Sequence, residues 1–282
     1  MRLEIAINKA FEKLNKHNIK SALLDSELLM SKALKEDREF IILNLDKKIR
    51  EKDYLYFQKL INERSKGKPI AYLTGKKYFW KYEFDINENV LIPRPDTEII
   101  IEQVLDIYKN KNKINFLEVG TGSGCILLSI LKERKDFKAT GIDISGHALK
   151  VCNINAYKLG VKNRVKLFKS DIDKFLNGKY DLIISNPPYI KKLDLKYLEK
   201  DVIKFEPKLA LDGGLDGISE IRKIIKKSSE LIKKGGKLIL EIAFNQKKEV
   251  KQLLRNNSFY INSVIKDLAK NDRCIISTKI EK

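Results

Sequence analysis

Asn186-Pro187-Pro188-Tyr189 follow a short apolar run, Asp181-Leu182-Ile183-Ile184-Ser185. A residue before proline is pushed out of the helical region toward extended geometry. Pro188 then fixes φ again and removes another N–H. The segment is therefore stiff, and its main-chain carbonyls are free to accept. Asn186 offers a side-chain carbonyl oxygen and Pro187 a main-chain one. Two acceptors held close together suit a planar –NH2 group with two hydrogens to give. Tyr189 adds an aromatic face for a flat partner. Four such residues also read as an ordinary strand-end turn, so the rest of the chain has to decide.

A second constellation stands about 70 residues upstream. Glu118-Val119-Gly120-Thr121-Gly122-Ser123-Gly124 closes an apolar strand candidate and runs into an apolar helix, Cys125 to Leu131. Glycines at a strand-to-helix turn let backbone approach a ligand closely. A dinucleotide fingerprint places glycine at the first, third and sixth positions. Here the sixth is Cys125, and Glu118 would repel a pyrophosphate. The acidic start and the G-x-G-x-G spacing favour a cationic, phosphate-free ligand such as S-adenosylmethionine. Gly141-Ile142-Asp143 puts an acid about 20 residues beyond the glycines, suited to ribose hydroxyls. Lys169-Ser170-Asp171 ends the next strand candidate with a carboxylate able to accept from an adenine amino group. Each aspartate alone is most often a helix cap; three acids at three consecutive strand ends form a pattern. His17 and His147 are the two histidines, and neither has partners for a triad or a metal site.

These residues need a sheet to position them. From residue 96 onward, apolar strand candidates at 114–119, 138–142, 164–168, 181–185 and 236–242 alternate with helices, which implies a mainly parallel sheet covered on both faces. One helix carries Ile221, Ile224, Ile225, Leu231 and Ile232 on one face and is expected to end at Gly235-Gly236. Residues 1–75 read as helical: Leu3, Ile7, Ala10, Phe11 and Leu14 form one stripe, residues 22–34 a second helix, and Tyr54, Phe57, Leu60 and Ile61 a third stripe. Between them, residues 76–95 change period. Tyr82, Phe84 and Ile86 alternate, Asn87-Glu88-Asn89 reads as a turn and Val90-Leu91-Ile92 as a returning strand, a hairpin linker.

The chain has 282 residues, 43% of them hydrophobic, enough for two domains with real cores. No apolar run reaches the roughly 18 residues of a membrane span, and Met1 to Ile5 do not read as a signal peptide. Three dispersed cysteines, Cys125, Cys152 and Cys274, argue against a disulfide framework and for a reducing cytoplasm. The formal charge of +19 attracts polyanions; lysines spread along the whole chain read equally as general composition.

With the glycine loop and the Asn-Pro-Pro-Tyr segment in hand, the chain resembles the PrmC/HemK family over nearly its whole length. These bacterial enzymes methylate the side-chain amide nitrogen, N5, of the glutamine in the Gly-Gly-Gln motif of class I peptide-chain release factors. Arg64, Gly67, Pro69, Ala71-Tyr72-Leu73 and Gly75 are similar to the family's segment before the hairpin. Leu91-Ile92-Pro93-Arg94-Pro95-Asp96-Thr97-Glu98 matches its interdomain signature, and Asp25-Ser26-Glu27-Leu28-Leu29 its N-terminal helical motif. Glu206-Pro207, Ala210-Leu211, Gly213-Gly214 and Asp216-Gly217 match the segment after the catalytic strand. Ala243 and Lys270 stand where the family tends to have glycine, which touches local loop geometry.

The resemblance implies an α/β fold: a Rossmann-like class I S-adenosylmethionine-dependent methyltransferase sheet over 96–282, with a small N-terminal helical domain over 1–75 joined by a β-hairpin over 76–95. It implies cofactor contacts at Glu118, Gly120, Thr121, Gly122, Ser123, Gly124, Asp143, Asp171, Ile172 and Asn186. Catalysis falls to Asn186, Pro187 and Tyr189. Substrate contacts fall to Asn186, Pro187, Pro188, Tyr189 and Arg94. A cytoplasmic monomer acting on release factors, with no metal, membrane or obligatory nucleic acid, is expected. Two other readings stay open. An N6-adenine DNA or RNA methyltransferase meets the same conjugated –NH2, although it must extrude a base. A non-catalytic module on the same scaffold would show degraded glycines or a lost Asn186, and neither is seen.

Overall fold

The computed structural model describes residues 1–281. The chain divides into two compact units, Met1–Lys76 with Glu199–Phe205, and Lys77–Leu198 with the chain from Glu206 on. The return of 199–205 to the first unit has no counterpart in the sequence reading.

The first unit is helical: α1 (Leu3–Lys16), α2 (Ala22–Leu34), α3 (Arg38–Leu43), α4 (Glu51–Ser65) and α5 (Ile70–Thr74). Leu3, Ile7, Ala10 and Leu14 are buried on α1, and Phe57, Leu60 and Ile61 on α4, as helical spacing requires. Phe11 was expected on the same stripe but lies exposed, because Ala6, not Phe11, completes the buried face. Asp25 on α2 and Arg64 on α4 form a buried ion pair, Nε to Oδ2 at 2.7 Å. Arg64 also donates to the Lys68 carbonyl at 3.2 Å, tying the Gly67 turn to the helices.

A hairpin, β1 (Lys76–Phe79) and β2 (Tyr82–Asp85), is shorter than the expected 76–95. Its turn lies at Trp80-Lys81, and Val90 to Ile92 form no strand. Trp80 adopts a left-handed φ of 58°, uncommon for a bulky residue. Two bonds hold it there: its N–H donates to Glu98 at 2.7 Å and its indole N–H to Glu133 at 2.9 Å. Asn87 forms a local turn instead, its side chain accepting from Asn89 N–H at 3.0 Å.

After a 3-10 turn, Pro95–Thr97, and α6 (Glu98–Ile107), the sheet begins with β3 (Asn115–Val119), α7 (Cys125–Glu133), β4 (Lys138–Asp143), α8 (Gly146–Lys158), β5 (Val165–Lys169) and β6 (Tyr180–Ser185). The chain then makes α9 (Lys200–Phe205), which belongs to the helical unit, and completes the sheet unit with α10 (Ser219–Leu231), β7 (Ile232–Glu241), α11 (Lys247–Asn256), β8 (Phe259–Lys266) and β9 (Asp272–Lys279). The strand order is β5-β4-β3-β6-β7-β9-β8. The first five strands are parallel, while β9 runs antiparallel to both β7 and β8. Order reverses between β3 and β6, and open α/β sheets bind ligands at such a switch point. Strands β3 and β6 are buried on both faces, hence their continuous apolar runs.

Two expectations at β7 are corrected. The helix ends at Leu231, and Ile232 already belongs to the strand. Gly235 and Gly236 are not a helix cap. They sit where pairing jumps from Tyr180↔Ile232 to Leu182↔Lys237, so residues 233–236 bulge out, and Gly235 supplies the positive φ of 75° that the bulge needs.

Candidate active site

The glycine loop leaves β3 at the switch point. The N–H groups of Gly120 and Thr121 both donate to the Ile142 carbonyl, at 2.9 and 3.1 Å, clamping the loop to the end of β4. Asp143 accepts from Gly122 N–H and Ser145 N–H, both at 2.8 Å. Gly120, Gly122 and Gly124 all have left-handed backbones. A Cβ on Gly120 or Gly122 would meet nothing within 4 Å, whereas one on Gly124 would stand 2.6 Å from Cys152 Sγ. The first two glycines therefore leave room for a ligand, and the third makes room for packing. Thr121 and Ser123 are buried in the loop.

Glu118 is 2% exposed, and its Oε2 has no hydrogen-bond partner. Burial, then the neighbouring Asp143 charge, push its carboxyl well above the usual range. Burial also raises Asp143, against the pull of its N–H donors. A cation or hydrogen-bond donor placed beside the loop would relieve both. These residues fit a sulfonium-bearing nucleoside such as S-adenosylmethionine: an orphan carboxylate oxygen, a paired aspartate and open space over two glycines. At the end of β5, Asp171 accepts from Asp173 N–H at 3.2 Å as an N-cap, and Ile172 is buried beneath it. The capping reading of Asp171 thus holds as a local fact, alongside its place on the strand edge.

Across the switch point, Ser185 is fully buried and donates from Oγ to the Val119 carbonyl at 2.8 Å. Asn186 is half-buried, and its Nδ2 donates to Thr97 Oγ1 at 3.2 Å. That contact turns Oδ1 the other way. Among the described residues, no donor reaches Asn186 Oδ1 or the Pro187 carbonyl, so both acceptors are available. Tyr189 turns its hydroxyl to Glu241 Oε1 at 3.4 Å. Burial, then the Glu241 charge, push the phenol up to about 12.

The loop is braced from behind. Gln246 Nε2 donates to the carbonyls of Tyr189 and Gly217, at 3.0 and 2.9 Å, while its Oε1 accepts from Ala243 N–H. Ile190 and Gly213 pair through Gly213 N–H to the Ile190 carbonyl at 2.8 Å. A Cβ on Gly213 would stand 2.9 Å from the Pro188 carbonyl, so only glycine allows this approach. Ala243 has no left-handed backbone and therefore no need of glycine, whereas Lys270 does, with φ of 66°.

Arg94, expected at the substrate, forms an ion pair with buried Glu206, whose other oxygen accepts from Ile92 N–H at 3.3 Å. The Arg94-Pro95-Asp96-Thr97-Glu98 run thus spends its polar side chains on separate holds: Arg94 on Glu206, Thr97 on Asn186, Glu98 on the hairpin. Asp96 stands 3.7 Å from Arg273.

Sequence reasoning gave no role to Thr97, Ser185, Glu241 or Gln246. Glu241 could have been found: it ends the strand beside β6, as Asp143 ends the strand beside β3. It is 2% exposed, and its Oε2 has no partner. No group of His, Cys, Asp and Glu among the described residues could hold a metal ion, and no helix among them is long and apolar enough to cross a membrane.

Strand order, glycine loop and switch-point acceptors together define a class I methyltransferase fold. Two solved structures share it: a ribosomal protein L11 methylase from Lactobacillus delbrueckii subsp. bulgaricus (TM-score 0.52, 18% identity, 70% of this chain and 84% of that one) and a methyltransferase from Pyrococcus furiosus (TM-score 0.54, 18% identity, 70% and 89%). The model of a methyltransferase domain matches residues 110–279, and that of the PrmC N-terminal domain matches residues 6–75. Release factor glutamine methyltransferases from Clostridium acetobutylicum and from Buchnera aphidicola subsp. Acyrthosiphon pisum are each 38% identical over 282 residues, covering 99% and 100% of both chains respectively. The chain belongs to the release factor glutamine methyltransferase family, and is an S-adenosylmethionine-dependent methyltransferase.

Proposed function

We propose that this enzyme methylates N5 of the glutamine in the Gly-Gly-Gln motif of class I release factors. The observation that carries the reading is the pair of free acceptors, Asn186 Oδ1 and the Pro187 carbonyl, one residue beyond the bond that ties β6 to the glycine-loop strand. An amide nitrogen is a poor nucleophile because its lone pair is shared with its carbonyl. When bound, S-adenosylmethionine supplies a methyl group on a sulfonium, an electrophile that needs no activation. The protein's task is then to aim the amide. Asn186 Oδ1 and the Pro187 carbonyl hold its two hydrogens and stabilise the positive charge that develops on nitrogen. Positioning of this type supplies about 7–11 kcal/mol, and fixed dipoles add to it. The Tyr189 ring, tethered through its hydroxyl to Glu241, offers a face to the flat amide. Glu118, Asp143, Asp171, Ile172 and the loop from Gly120 to Gly124 hold the methyl donor.

The helical unit from Met1 to Lys76 recognises the folded release factor, and Arg94, through Glu206, shapes the substrate side of the site. The enzyme acts as a cytoplasmic monomer and needs no nucleic acid.

Single-turnover methylation by two variants tests the roles. Asn186→Ala should preserve cofactor affinity and lower turnover by ~10²–10³, the cost of one preorganised group. Asn186→Asp keeps an acceptor oxygen and should retain more activity than Asn186→Ala. A parental rate in Asn186→Ala would remove this residue from the mechanism.

A further inference from the structure

The Asn186 amide works only in one of its two orientations. With Oδ1 toward the substrate amide it accepts; flipped, it presents –NH2 to another –NH2. Shape does not distinguish the two, because the oxygen and nitrogen of a side-chain amide are nearly the same size. Something must assign the polarity. The group that Asn186 touches is Thr97, and a hydroxyl fits either orientation, since it can donate or accept. Thr97 is 2% exposed, so water does not decide for it.

Thr97 is also among the groups that act on the Glu241 carboxyl, whose Oε1 stands 3.4 Å from the Tyr189 hydroxyl and whose Oε2 is buried with no partner at hydrogen-bond distance. An ionised carboxylate can only accept. Facing it, Tyr189 and Thr97 each have one proton to give.

We propose that Glu241 is a positioning residue for methyl transfer, drawing the Thr97 hydroxyl proton toward itself so that Thr97 Oγ1 accepts from Asn186 Nδ2 and Asn186 Oδ1 faces the substrate. This rests on the methyltransferase reading above. The Tyr189–Glu241 contact is long at 3.4 Å, and Glu241 Oε2 is not yet bonded to Thr97; catalytic hydrogen bonds often form fully only in the complex. Occupation of the site is expected to tighten them.

The relay has an off state. A protonated Glu241 can donate to Thr97, which frees the Thr97 proton for Asn186 Oδ1 and releases the amide to flip. Burial pushes Glu241 up to about 7, so the change falls near neutrality. The groups around it are Tyr189 after β6, Asp96 in the 3-10 turn, Arg273 and Cys274 on β9 and Cys125 on α7. Arg273 favours the ionised form, and Asp96 opposes it. Arg273 is itself held by Asp267 at 2.9 Å, which moderates its pull.

The test is steady-state methylation of a purified class I release factor, on both sides of neutrality, by the parent and three variants. The parent should lose kcat toward acid with an apparent pKa near 7. Glu241→Gln imitates the protonated state, so its kcat should be lower by roughly 10- to 100-fold and should not vary through that range, with KM for release factor unchanged. Thr97→Val should show the same loss, Thr97→Ser should restore the rate, and thermal denaturation checks that each variant is folded. Should Glu241→Gln not fold, the contrast between Thr97→Val and Thr97→Ser, with the parent's acid limb, still decides. An active parent with no acid limb, or with unchanged kcat in Thr97→Val, overturns the inference alone. No transfer by the parent would contradict the functional reading and this inference with it.

Discussion

Ser185 Oγ donates to the Val119 carbonyl at 2.8 Å, a bond spanning 66 residues of chain. It joins the last residue of β6 to the last residue of β3. One strand delivers the acceptors, the other the glycine loop, so this bond sets how the two halves of the site face each other.

Ser185→Ala removes that donor without changing the packing. It should cost about 1 kcal/mol of stability. Turnover should fall more than cofactor affinity, because each half keeps its own shape while their mutual aim loosens. Chemical denaturation, calorimetry with S-adenosylmethionine and single-turnover rates separate the three quantities.

The glycines separate in the same way. Gly124→Ala drives a Cβ to within 2.6 Å of Cys152 Sγ and 2.8 Å of Leu128 Cδ1, overpacking that costs roughly 1–3 kcal/mol besides left-handed strain. Gly122→Ala meets open space and should pay only the strain, about 1–2 kcal/mol, yet lose cofactor binding. Melting curves alongside calorimetry check the contrast; tight binding by Gly122→Ala would move the cofactor elsewhere.

In the helical unit, Arg64→Ala leaves the Asp25 carboxylate buried and unpaired. Both side chains are shielded, 12% and 2% exposed, so the loss should approach the ~3–5 kcal/mol of a broken buried pair. Arg64→Lys should recover little of it, since lysine cannot also reach the Lys68 carbonyl in the same forked geometry. Circular dichroism melts of the full chain read this directly.

Glu241 also links stability to pH. Its folded value of about 7 stands above its ordinary 4.5. Between those values the unfolded chain gives up a proton that the native state keeps, so stability falls as pH rises through this window. The shift corresponds to about 3 kcal/mol. Glu241→Gln should therefore be more stable than the parent above neutrality and close to it near pH 4.5, gaining stability where it loses activity. Denaturant midpoints at the two ends of the window test the sign.

Much of this architecture was legible because apolar strands and glycine turns leave local signals. Strands β3 to β6 fall within a residue or so of their expected ranges. What was hidden depends on distant partners. The hairpin turn at Trp80 exists because Glu98 and Glu133 hold a tryptophan in a conformation that local propensity disfavours. Gly235-Gly236 resembles a helix end until the pairing with β6 reveals a bulge. Strands β8 and β9 give no clean alternation, since four consecutive residues of β9 are buried, and their antiparallel pairing is non-local and irregular in register. At the site, the motif residues were readable and their supports were not. Thr97 and Asn186 are 89 residues apart, and only the fold brings them together.

The central claim is that the paired acceptors after β6 serve a protein amide. Mass spectrometry of a purified class I release factor, after incubation with this enzyme and S-adenosylmethionine, tests it most directly. The account predicts one added methyl group, mapped to the glutamine of the Gly-Gly-Gln peptide and absent with Asn186→Ala. An unmodified glutamine, with methyl transferred instead to adenine in DNA or RNA, would contradict it.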